Sequence, residues 1–89
     1  MPHKFIYSVV QSDRDCAGYR MLESCLRQWI TEIDEFRARA LGLGAVQLVG
    51  MFEDAHTRAQ IALLTAIDHR VDGLSLKKAS QAAAAVLVS

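Results

Sequence analysis

The chain has 89 residues, 52% of them hydrophobic, a single proline, and ten basic against ten acidic residues. That composition excludes a disordered or proline-rich linker. A net charge of zero with interspersed signs argues against generic binding to nucleic acid or acidic membrane, which needs a positive field. The length fits one domain, residues 1–89, and a small domain this apolar often completes its core with a partner subunit.

Residues 4–10, KFIYSVV, are rich in β-branched and aromatic types, which predicts a short strand or an extended arm within residues 1–11. The apolar run Phe5–Val10 is too short for a signal-peptide core or a membrane span, and no later run is long enough to span. A cytoplasmic protein without a membrane partner is the expectation. In SDRD, Ser12 is a candidate N-cap, and Asp13 and Asp15 would place negative charge at the positive end of a helix dipole.

From about Asp13 to Leu41 the period is helical. Tyr19, Leu22, Leu26, Trp29, Ile33, Phe36 and Ala40 recur at spacings of three and four, with Cys25 and Ile30 on the flanks of their face. Leu26, Trp29, Ile33 and Phe36 are therefore expected to be mostly buried. Glu23–Arg27 and Glu35–Arg39 are i,i+4 pairs in the favourable order. Gly42 and Gly44 are stop signals, because glycine tolerates the left-handed backbone that closes a helix.

LGLGAVQLVG, residues 41–50, admits two readings. As a strand, 45–52 would have no polar face and would need full burial. As a helix, Ala45, Leu48, Val49, Phe52, Ala55, His56, Ala59, Leu63, Ala66, Ile67 and Arg70 form one stripe without a phase break. Gly50 costs such a helix about 1 kcal/mol relative to Ala, which a long packed helix tolerates. LGLG is then the loop of an αα-hairpin. The second helix should end near Asp72–Gly73. Ser75 should cap a third, with Leu76, Ala79, Ala83 and Val86 inside, Lys77, Lys78 and Gln81 outside, and an alanine run suited to close helix approach. The fold class is all-α: a long antiparallel hairpin with a shorter C-terminal helix, completing a bundle by dimerisation. The alternative is α+β, with short strands at 4–10 and 45–52.

Chemistry is sparse. The histidines His3, His56 and His69 have no i,i+3 or i,i+4 relation, and Cys16 and Cys25 lack zinc spacing, so no metal site is expected. On one helix the cysteines would stand ~13 Å apart along the axis and cannot bridge each other. His56 reads as a partly buried stripe residue. Gly42-Leu43-Gly44 lacks the rest of a phosphate loop, so no cofactor is expected.

Missing catalytic constellations leave a binding role in front: a small non-enzymatic regulator (adaptor, anti-activator, inhibitor or chaperone-like protein) that presents a helical surface to another protein and to a second copy of itself. Its candidate contact residues are Tyr19 and Ile30, which widen the apolar face, Trp29 as an anchor, and Arg37 at the face's edge. Two alternatives stand beside it. One is a helix-turn-helix-like DNA-binding regulator using Lys77, Lys78 and Gln81 of the C-terminal helix. The other is a small dimeric α-helical enzyme with a site between subunits drawn from Arg20, Arg27 or His56.

Overall fold

A computed structural model describes the backbone of residues 2–89 and the side chains of residues 16–89. It consists of three helices, α1 (Pro2–Gly42), α2 (Val46–Val71) and α3 (Leu76–Val88), with no strand among the described residues. Residues 46–52 are therefore helical, as the unbroken stripe predicts, and the α+β alternative is excluded. Helix α1 starts earlier than expected. From Pro2 onward helix replaces the extended arm or strand drawn for residues 1–11, and the helix runs on through Ser12 instead of starting there. A lone strand at 4–10 would leave its backbone donors and acceptors without partners, whereas a helix satisfies its own. The capping roles expected of the Ser12, Asp13 and Asp15 side chains lie outside the described residues.

Both interhelical turns close in the same way. Gly44 and Gly73 carry positive φ, 71° and 73°. Behind Gly44, the Ala45 N–H donates to Ala40 O at 3.0 Å and the Gly44 N–H to Leu41 O at 3.1 Å. Behind Gly73, the Leu74 N–H donates to His69 O at 2.9 Å and the Gly73 N–H to Arg70 O at 3.1 Å. These are the paired bonds of the Schellman motif, which satisfy the last carbonyls of each helix. Of the two expected stop signals, Gly44 makes the turn, and Gly42 is the last helical residue. Helix α3 begins as predicted, with Ser75 Oγ accepting from the Lys78 N–H at 3.3 Å.

Helix α1 packs along α2, and α2 also packs against α3, while α1 and α3 meet only briefly. The α1 seam is Tyr19, Glu23, Leu26, Ile30, Ile33, Arg37 and Ala40, a strict alternation of four and three residues. On α2 the facing row, led by the N-cap Ala45, is Val49, Phe52, His56, Ala59, Leu63, Ala66 and Arg70, with the same alternation. That is the spacing of a left-handed helical pair. The core proper is small. Leu26, Ala62, Ala66 and Ala83 are buried together, with Leu22, Leu63, Val86 and Leu87 partly buried against them. Alanines at the α2–α3 contact bring those two backbones close. At Gly18 a β-carbon would overlap a terminal methyl of Leu76, which marks how closely the start of α3 sits against α1.

Helix α3 has 13 residues against 26 in α2, so it covers about half of the hairpin. Leu26 and Ile33 are buried as expected, but Trp29 is 42% and Phe36 48% exposed, which corrects the expectation for those two. Both belong to a row on the flank of the seam, Gly18, Leu22, Trp29 and Phe36, which falls within about 40° at 100° per residue. With Leu76 beside Gly18, the rise along the axes puts the start of the row under α3, Trp29 level with the last turn of α3, and Phe36 beyond it.

Candidate functional site

The row continues past the end of α3 as an open trench. Trp29 and Phe36 form its α1 wall. Leu48 and Met51 of α2 lie in the stripe that includes Ala62, and both are exposed. Phe52 is half-buried, and its ring stacks on Phe36 with centroids 5.9 Å apart and planes inclined at 19°. The Arg39 guanidinium lies 5.6 Å from the centre of the Phe36 ring. An aromatic pair with an arginine above it is a strong apolar contact when covered and a costly one when left in water.

Tyr19 is fully inside the fold. Its hydroxyl donates to Leu74 O at 2.8 Å and lies 3.3 Å from Ser75 O, holding the α2–α3 turn against α1. Ile30 is half-buried on the side of the hairpin away from α3. There Arg27, Ile30, Thr31, Gln60, Leu63 and Leu64 line an open cleft of about 570 Å³. Arg37 flanks the seam and bridges the hairpin, with its guanidinium 3.1 Å from Asp34 and 3.8 Å from Glu53. Ile30 and Arg37 thus share the seam row, seven residues apart, while Trp29 stands on the opposite flank, so the three do not form one patch.

A second cleft, of about 440 Å³, is lined by Cys16, Arg20, Glu23, Arg27 and Arg70. It brings together Arg20 and Arg27, two of the residues considered for a site between subunits, while His56 lies outside it. Glu23 is an acidic side chain only 5% exposed. Arg70 Nε donates to Glu23 Oε2 at 2.9 Å, and Arg27 stands 3.8 Å from Oε1. A buried carboxylate is tolerated only with such partners. The Glu23–Arg70 pair spans 47 residues and was not foreseen; its signal is that each helix carries one charged residue in an otherwise apolar seam row at this level.

Lys77, Lys78 and Gln81 are exposed on α3, on the side away from Ala79 and Ala83. Cys16 and Cys25 are exposed free thiols. No group of three or more metal-ligating side chains gathers among the described residues, and none of their helices is long and apolar enough to cross a membrane. Comparison of the chain with protein-family models, curated proteins and solved structures finds no match.

Proposed function

We propose that this chain is a small protein-binding regulator of the cytoplasm, of the adaptor, inhibitor, anti-activator or chaperone-like kind, which receives an amphipathic helix of another protein in the trench beyond α3. The observation that carries this reading is continuity. Leu22 is covered where α3 lies, and Trp29 and Phe36, in the same row, are not. A partner helix laid in line with α3 would meet Trp29, Phe36, Leu48 and Met51 and extend the three-helix packing to the hairpin tip. This is helix-in-groove recognition, with apolar anchors at helical spacing. Aromatic side chains at the centre of such a contact supply most of its energy.

The test is cross-linking in the native host from a photoreactive residue at position 48, with the wild type beside Phe36→Glu/Met51→Glu. The reading expects a discrete protein partner on the wild type, lost in the double variant while helicity is retained. It expects the apolar-surface dye response of the purified protein to fall with it. A partner retained undiminished by the double variant, or no partner and no change in dye binding, would sink the reading.

A further inference from the structure

We propose that a second copy of this chain docks antiparallel on the hairpin face opposite α3, about a two-fold axis near Ile30. This goes beyond the trench just described, uses the other side of the molecule, and stands or falls independently of it.

The two clefts share Arg27 as a lining residue, so they adjoin along α1 and α2 as one grooved face. The groove is on the far side from α3: Gly18 faces Leu76, whereas Arg20 and Arg27 lie more than about 120° around the helix from Gly18 at 100° per residue. Read along the rod, the face has three sections. The first holds Arg20, Arg27 and Arg70 against Glu23, two net positive charges. The middle is apolar, with Ile30, Leu63 and Leu64, the last 59% exposed. The third follows Arg27 by seven residues on the same line and holds Asp34 and Glu53 against Arg37, one net negative charge.

This order is self-complementary. Arg27 lies three residues before Ile30 and Asp34 four after it, so they are ~4.5 Å and ~6 Å along the axis from the middle of the groove. Turning one copy about a two-fold axis there sets the basic section of each on the acidic section of the other, twice over, with the apolar middles in contact. A parallel copy would set like charge on like charge. The contact is isologous and closed, so it stops at two chains. Exposed ion pairs contribute little on their own. The apolar middle supplies the drive, and the charges select the antiparallel arrangement.

The experiment is a charge swap read by sedimentation velocity on the full chain at ~1–100 μM, the range that spans micromolar dissociation constants. The wild type is expected at twice the 9.8 kDa chain mass. Arg20→Glu/Arg27→Glu and Asp34→Lys/Glu53→Lys are each expected to weaken association by ~10-fold or more, with circular dichroism unchanged. Mixing the two variants restores both contacts, so the mixture should return to the two-chain mass, which a merely misfolded variant could not do. Leu64→Glu should separate the chains whichever charges are present. A wild type at the single-chain mass, species larger than two chains, or a mixture as dissociated as its components would each overturn the proposal. Phe36→Glu/Met51→Glu, which empties the other face, should leave the dimer intact; loss of the dimer in that variant would count against the groove as the contact.

Discussion

The two ends of the hairpin are made from the same pair of helices, with the same alternation of four and three along the seam. They differ in what lies over the seam. At the end near Gly73, α3 covers the flank, and Leu26, Ala62, Ala66 and Ala83 are enclosed. At the end near Gly44 the flank is open, and Phe36, half in water, stacks on a half-buried Phe52. A two-helix seam encloses only the one or two residues per turn that point straight at the partner. A third helix is what turns the neighbouring row from surface into core. The difference shows that hydrophobic periodicity reports which way a side chain faces, and that burial follows only if something is there to meet it.

The largest expected effect follows from this contrast. Leu26→Ala should destabilise by ~2–4 kcal/mol, because the enclosed end cannot collapse around the lost atoms. Phe36→Ala should cost only about 1 kcal/mol, since half of the ring is already in water and the loss is chiefly its contact with Phe52. Urea titrations of the two variants decide the matter, and equal midpoints would mean that the tip is as enclosed as the core.

Tyr19→Phe keeps the ring in place and removes the hydroxyl that meets Leu74 O and Ser75 O. It should cost about 1 kcal/mol. Amide exchange should rise in α3 more than at the hairpin tip, because the lost bond pins the α2–α3 turn. A rise confined to the tip would break the division of the molecule into two ends.

The smallest effect is the most local. Gly50 lies inside α2 with open space where a β-carbon would go, so Gly50→Ala should stabilise by ~0.5–1 kcal/mol. Gly18 is also helical, but its β-carbon would displace Leu76. Gly18→Ala should therefore forfeit the same gain and loosen α3. Thermal melts of the pair sharpen the comparison: a clear rise in Tm for both would show that α3 shifts freely at Leu76.

Much of this was legible in the sequence. The stripe from Ala45 to Arg70 predicts α2 across Gly50, Ser75 predicts the start of α3, and the glycine signals predict both turns. What was not legible depended on distance along the chain. The exposure of Phe36, and of Trp29 beside the last turn of α3, is set by where α3 runs out, a packing fact that no local period contains. The apolar face of α1 reads as wide because it holds two rows, the seam and its flank, and only tertiary packing separates them. The strand expected at 4–10 rested on side-chain propensity alone, which a segment without strand partners cannot realise. Of the candidate contact residues, Tyr19 reads as part of the wide apolar face of α1, open to a partner. Its hydroxyl meets a turn 55 residues away, which the sequence gives no means of pairing with it.

The two tight glycine turns also bear on how quickly the chain finds its structure. Each helix packs chiefly on its neighbour in sequence, through connections of three residues at 43–45 and four at 72–75. Little loop entropy is lost before either contact begins to reward it. Folding should zip outward from each turn, on the microsecond-to-millisecond scale of helical bundles with local contacts. The few links between distant residues, Glu23 with Arg70 and Tyr19 with Leu74, lie at the far end of the zipper from Gly44, so they close last in the α1–α2 pair. Replacing either should speed unfolding far more than it slows folding.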